Sequence, residues 1–190
     1  MSKIIAFAGS TRTASYNKML VRVAAEGVRN AGGEVTLIDL RDFPMPLYDG
    51  DLEESDGPPP SATQLYELMI EHQGMLLACP EYNSSITGVL KNTIDWVSRP
   101  REGEPPLAAF TGKVAALLSA SPGALGGLRG LAHVRSILGN IGVTVIPNQI
   151  AVSKAMEVFG ADGSLKDARL AAKIASLAGE LVETTRKLHG

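Results

Sequence analysis

The densest set of groups able to do chemistry is Gly9-Ser10-Thr11-Arg12-Thr13-Ala14-Ser15-Tyr16-Asn17. It leaves an apolar run at residues 4–8 and enters a helical pattern. A helix N-terminus offers free backbone N–H groups and the positive end of the helix dipole, which suit an anion. The four Ser and Thr hydroxyls, one guanidinium and one amide of the stretch add donors. Arginine matches a phosphate dianion with paired hydrogen bonds. The plainer reading is a polar loop in which Ser15 caps the helix. The density of donors directly after a strand favours phosphate binding. A Walker loop requires G-x-x-x-x-G-K-[ST] and a dinucleotide fingerprint requires G-x-G-x-x-G. Both are absent, since no glycine follows Gly9 until Gly27. A hydroxyl-rich loop without glycines suits a terminal monophosphate, which can be wrapped, better than a bridging pyrophosphate. Asp39, at the end of the second strand, could imitate a ribose-binding acid; without the glycines it reads as a surface residue.

Two further segments carry polar and flat groups. Pro80-Glu81-Tyr82-Asn83-Ser84-Ser85-Ile86-Thr87-Gly88-Val89-Leu90-Lys91-Asn92 follows the third strand. Tyr82 offers an aromatic face and Asn83 a donor and an acceptor for a heterocycle's edge, although Tyr82 and Asn83 alone also read as a turn. Ser119-Ala120-Ser121-Pro122-Gly123-Ala124-Leu125-Gly126-Gly127-Leu128-Arg129 follows the fourth strand. Its glycines permit backbone contact with a planar ligand or make a flexible connection.

Hydrophobic periodicity supplies the elements that must position these segments. Strands are predicted at 4–8, 35–40, 74–79, 113–119 and within 143–152. Helices are predicted at 15–31, 61–72, 86–98, 125–141 and 164–188, with Ser61 as a cap. Residues 43–60 and 99–106 are rich in proline and polar residues and read as loops, the first long enough for a functional part. Strands and helices that alternate in this way predict an α/β fold, a five-stranded parallel sheet with helices on both faces. Residues 1–190 read as one domain. In such a sheet ligands bind beyond the carboxyl ends of the strands, where the strand order reverses. The three segments, after Ala8, Cys79 and Leu118, fall there.

Composition narrows the function classes. The chain has a net charge of −2, from 18 basic and 20 acidic residues, and no basic run longer than two. That argues against a surface that tracks nucleic acid. The single cysteine, Cys79, excludes an internal disulfide, and no Cys/His cluster has zinc spacing. The N-terminal apolar run is too short for a signal peptide or a membrane span, so a cytoplasmic protein without a membrane partner is expected.

The three segments together resemble the NADPH-dependent FMN reductase family, whose relatives include chromate, quinone and azo reductases. Gly9-Ser10-x-Arg12-x-x-Ser15-x-Asn17 is similar to its phosphate loop. Pro80-Glu81-Tyr82-Asn83, through Gly88-x-Leu90-Lys91-Asn92 to Asp95-Trp96, is similar to its most distinctive motif, and Gly123-x-x-Gly126-Gly127 to its third loop. The resemblance covers about the first 145 residues. It implies a flavodoxin-like fold and bound FMN, with NADPH or NADH as electron donor and a small molecule as acceptor: a quinone, an azo compound, chromate or another metal, or free flavin. It also implies a homodimer or homotetramer. Ser10, Arg12, Ser15 and Asn17 would hold the phosphate. Pro80, Glu81, Tyr82 and Asn83 would edge the ring, and Ser119 and Gly123 would close its other side. The chemistry would rest on the flavin, with no catalytic triad and no metal. The alternative is a flavodoxin-type FMN electron carrier without nucleotide turnover.

Other residues carry plainer expectations. Cys79 reads as a buried structural thiol, and His72, His133 and His189 as scattered. Leu90 and Trp96 belong either to the core or to a subunit contact; the Leu90, Ile94 and Val97 stripe suggests a helix that meets a partner. Glu81 is either a loop carboxylate or a surface charge. Lys91 and Asp95, four apart, suit an ion pair.

Overall fold

A computed structural model describes residues 1–190. The elements run β1 (Lys3–Ala8), α1 (Tyr16–Asn30), β2 (Glu34–Leu37), a 3-10 turn (Leu40–Asp42), α2 (Gly50–Asp56), α3 (Pro60–Ile70), β3 (Gly74–Ala78), α4 (Gly88–Val97), β4 (Val114–Ala120), α5 (Leu128–Asn140), β5 (Thr144–Val152), α6 (Ala155–Val158) and α7 (Ala168–His189). All strand pairs are parallel, in the order β2-β1-β3-β4-β5. The predicted α/β class and five-stranded sheet are therefore present, in flavodoxin order. No helix is long and apolar enough to cross a membrane.

The continuous apolar strands follow from burial on both faces. Side chains alternate along a strand. Ile4, Ala6 and Ala8 of β1 pack with α1 and α7. Ile5 and Phe7 face the other way, into the layer of α3, α4 and α5. β1 and β3 sit at the centre, and after them the chain departs to opposite sides. A crevice opens there, between the ends of β1, β3 and β4.

Two expectations are corrected. Residues 43–60 are not simply a loop, because α2 lies inside them. The stretch is also fastened to α4 and the turn after it. Asn92 accepts the Tyr48 N–H at 2.8 Å and donates to the Pro46 carbonyl at 2.9 Å, and Trp96 Nε1 donates to the same carbonyl at 2.8 Å. Glu53 accepts from Tyr48 Oη at 2.8 Å and from Arg99 Nε at 2.9 Å. The Asn92 and Trp96 of the family-like motif thus hold a neighbouring segment in place.

Second, the Leu90, Ile94 and Val97 stripe is core rather than a free face. All three are buried with Leu65, Met69 and Leu117, and Trp96 is fully buried. The stripe is satisfied within the chain and leaves no apolar face for a partner. Lys91 and Asp95 pair as expected, at 2.7 Å.

Candidate functional site

The loop from β1 to α1 begins with a strand-like contact, Gly9 N–H to the Ala78 carbonyl at 2.9 Å. The Gly9 carbonyl accepts from Thr87 Oγ1 at 2.7 Å, and that oxygen also accepts the Leu90 N–H of α4 at 3.2 Å. One buried threonine therefore fixes the loop's first residue and starts α4. Ser15 occupies the N-cap position of α1, yet its hydroxyl makes no cap bond. Ser10 Oγ accepts the Arg12 N–H at 3.2 Å, so its own proton is free to donate elsewhere. The Arg12 side chain is exposed.

Asn17 behaves differently from the expectation. Its Nδ2 donates to the Ala120 carbonyl at 2.8 Å, and its Oδ1 accepts the Ala120 N–H at 2.9 Å. The buried amide imitates a neighbouring strand and ties α1 to the end of β4. It anchors the phosphate loop rather than offering itself as a free donor.

The Tyr82–Ser85 segment is a two-residue turn. Tyr82 and Ser85 exchange both backbone hydrogen bonds at 3.0 Å, with Asn83 at φ 51° and Ser84 at φ 64°. Left-handed backbone at a residue other than glycine costs about 1–2 kcal/mol, so the turn needs support. Glu81 supplies it, with a side chain only 8% exposed. It accepts the Arg129 N–H at 3.0 Å, the Gly130 N–H at 3.2 Å and Arg129 Nε at 2.8 Å. A carboxylate thus sits on the first turn of α5, where the dipole favours it. Burial would raise the Glu81 carboxyl, but the bonds from Arg129 and Gly130 outweigh it and hold the group below its ordinary range. Gly130 lets α5 approach: a Cβ there would lie 3.2 Å from the Ser85 carbonyl. Ser85 also bonds His133 at 2.8 Å. The choice left open for Glu81 is settled, since it is a braced loop carboxylate.

Two neighbouring clefts result. The smaller, about 100 Å³, is lined by Ser10, Arg12, Ser15, Tyr16, Asn17, Pro80, Glu81, Tyr82 and residues 120–122. The larger, about 410 Å³, is lined by Glu81, Asn83, Ser84, Ser121, Arg129 and residues 123–127. Glu81 and Ser121 belong to both. Nine of the ten predicted site residues therefore gather at one crevice. The exception is Ser119. Its hydroxyl is fully buried without a partner, beneath Gly127, and lines neither cleft. Ser121, two residues on and just past the end of β4, lines both clefts; Ser119 is still inside the strand and points into the packed layer. Thr87 and Arg129 were also missed as contributors, although both stand in the quoted segments. Cys79 is buried, and desolvation pushes its thiol up to about 12, which suits an inert packing group.

The donor set fits a phosphate monoester joined to a flat ring. The small cleft collects free hydroxyls and a guanidinium, and its one carboxylate is already neutralised by Arg129. The larger cleft is walled by glycine backbone, the Asn83 amide and the half-exposed Leu125.

The chain is similar to known proteins in sequence and in fold. A family described as NADPH-dependent FMN reductase matches residues 2–157. A Pseudomonas aeruginosa protein named NAD(P)H-dependent FMN reductase PA1204 is 35% identical over 189 residues, covering 99% of this chain and 97% of that one. A quinone reductase of Escherichia coli strain K12 is 36% identical over 137 residues, covering 72% of this chain and 69% of that one. Among solved structures, the flavoenzyme NAD(P)H:(acceptor) oxidoreductase FerB from Paracoccus denitrificans superposes with a TM-score of 0.82, at 27% identity, over 98% of both chains.

Proposed function

The chain belongs to the NADPH-dependent FMN reductase family, and from that premise we propose that its two clefts hold FMN, with the phosphate in the small one and the ring beside the large one. It is a flavin-dependent oxidoreductase that uses FMN and a reduced nicotinamide nucleotide and passes electrons to a small-molecule acceptor. When bound, FMN supplies the redox chemistry, taking hydride from the nicotinamide and giving electrons to the acceptor.

Each protein group has a distinct part in this reading. Arg12, Ser10 and Ser15 donate to the phosphate. The 82–85 turn and residues 121–127 position the ring edge with backbone and the Asn83 amide. Glu81, Asn17 and Thr87 keep these loops in register. Glu81, the one carboxylate in the walls of the two clefts, is already paired with Arg129 and in this reading braces the site.

The observation that carries the reading is a hydroxyl- and guanidinium-lined cleft set beside a larger one, with Glu81 and Ser121 in the walls of both. The acceptor we infer is a quinone-like aromatic, because Tyr82 and Leu125 flank the opening and are 56% and 51% exposed. The 190 residues act as one domain, in the cytoplasm, as a homodimer or homotetramer; sedimentation velocity at micromolar concentration checks the last point.

The larger cleft would admit nucleotide and acceptor one at a time to the same place, and oxidised nucleotide would leave before the acceptor enters. Initial rates with NADPH or NADH and a soluble benzoquinone should give parallel double-reciprocal lines. Intersecting lines would indicate both substrates bound at once and would contradict the shared place.

A further inference from the structure

The phosphate loop is also gripped from outside, by residues that the flavin reading does not use. Arg41, just past β2, is exposed, yet its guanidinium forks onto the Thr11 carbonyl through Nε at 3.0 Å and through Nη2. The 3-10 turn that carries Arg41 is capped by Asp39, whose Oδ1 accepts the Arg41 N–H at 3.0 Å. The other carboxylate oxygen takes the Lys18 ammonium at 2.5 Å. Lys18 lies on α1, one turn beyond Ser15, and is only 8% exposed. A circuit therefore runs from α1 through Lys18, Asp39 and Arg41 back to the loop that leads into α1.

The circuit closes on one peptide group. A trans peptide points its C=O and N–H in opposite directions. With the Thr11 carbonyl held outward by Arg41, the Arg12 N–H is turned inward, where it donates to Ser10 Oγ at 3.2 Å. That bond occupies an acceptor site of Ser10 and directs the hydroxyl proton away from the loop. We propose that Asp39 and Arg41 are positioning residues for the FMN phosphate: they fix the Thr11–Arg12 peptide and so present the Ser10 hydroxyl and the Arg12 side chain. This inference rests on the flavin reading of the site.

A competing account needs no positioning. Asp39 would merely neutralise Lys18, and Arg41 would attract the phosphate through space. The two accounts differ in sign. Removing the negative charge of Asp39 near a dianion should tighten FMN binding if through-space attraction is all that matters. If Asp39 aims the loop, the same change should weaken it. Riboflavin, which lacks the phosphate, should respond to neither.

The test is a fluorescence titration of the full-length chain, stripped of flavin, with FMN and with riboflavin. Wild type, Asp39→Asn, Arg41→Ala and the double variant are compared. We expect FMN to bind about 3- to 10-fold more weakly to each single variant, the range of one lost hydrogen bond. Riboflavin should change by less than about twofold, and the double variant should resemble Arg41→Ala because both act through one peptide. Tighter or unchanged FMN binding in Asp39→Asn would overturn the proposal, as would equal losses for both ligands. Should Asp39→Asn fail to fold, Arg41→Lys replaces it: the charge stays but the fork onto the Thr11 carbonyl is lost, so weaker FMN binding with riboflavin unchanged supports positioning and unchanged FMN binding overturns it. A wild-type chain that binds riboflavin as tightly as FMN would instead remove the phosphate site on which the proposal stands.

Discussion

The two ends of the crevice are built on opposite plans. At the end proposed for the phosphate the side chains are left to the cleft: Ser10, Arg12 and Ser15 keep polar atoms free, while neighbouring residues carry the structural bonds. At the ring end the side chains are spent on the protein. Glu81 is bound to Arg129 and α5, Ser85 to His133, and Ser119 is sealed under Gly127. What remains for the ligand there is mostly backbone in unusual conformations, at Asn83, Ser84, Gly126 and Gly127. A charged, flexible phosphate ester is recognised through directional charge-assisted bonds. A flat ring is recognised through shape, which needs a rigid wall. The difference predicts that substitutions at the first end change what binds, and at the second end change whether the site exists.

The largest effect should come from Gly127→Ala. The residue sits at φ 89°, and an added Cβ would lie 1.9 Å from Ser119 Oγ. Left-handed strain and overpacking together should cost about 3 kcal/mol or more. Urea unfolding should show the loss, with FMN and riboflavin binding impaired alike. Next is Arg12→Ala. One lost charge-assisted contact should weaken FMN by about 10- to 150-fold, with riboflavin and thermal stability nearly unchanged. Equal losses for FMN and riboflavin would erase the contrast between the two ends.

Glu81→Gln should weaken both flavins by the same factor, about 5- to 10-fold, because one brace of the turn is lost. The effect has a pH signature. The folded-state carboxyl lies below its ordinary 4.5, so its contribution is present above that value and fades as pH falls through the lower, folded one. Wild type should therefore lose stability faster than Glu81→Gln below about pH 4.5, and the two curves should converge in acid. Parallel curves down to pH 3 would show that the brace is not ionic. The smallest effect belongs to Cys79→Ala. A thiol buried next to the ring-end motif and held near 12 should resist alkylation in the folded protein at pH 8. Its truncation should leave the FMN-to-riboflavin affinity ratio untouched.

The fold was legible because its signals are local and repeated. Five apolar runs separated by helical periods leave little choice of class, and strand ends name the crevice. The residues proposed for the phosphate could be placed at the crevice for the same reason, since hydroxyls and arginine follow a buried strand directly. The illegible features depend on partners far away in the chain. Nothing around Glu81 announces Arg129, 48 residues later, and nothing around Asn17 announces Ala120, 103 residues later. Asp39 looked like a surface acid because Lys18 lies 21 residues before it. Helix α2 was hidden because a proline- and glycine-rich composition masks seven residues capped by Asp49. Residues that line the crevice could be read from type and position, whereas those that brace them needed the folded chain.

The most direct test of the whole account is an anaerobic mixing experiment on the purified protein loaded with FMN. NADPH or NADH, added in slight excess, should bleach the bound flavin's yellow absorbance at a rate no slower than steady-state turnover, and a quinone added afterwards should restore it. If dithionite bleaches the flavin but neither nucleotide does, the crevice holds an electron carrier's flavin and the reductase account is contradicted.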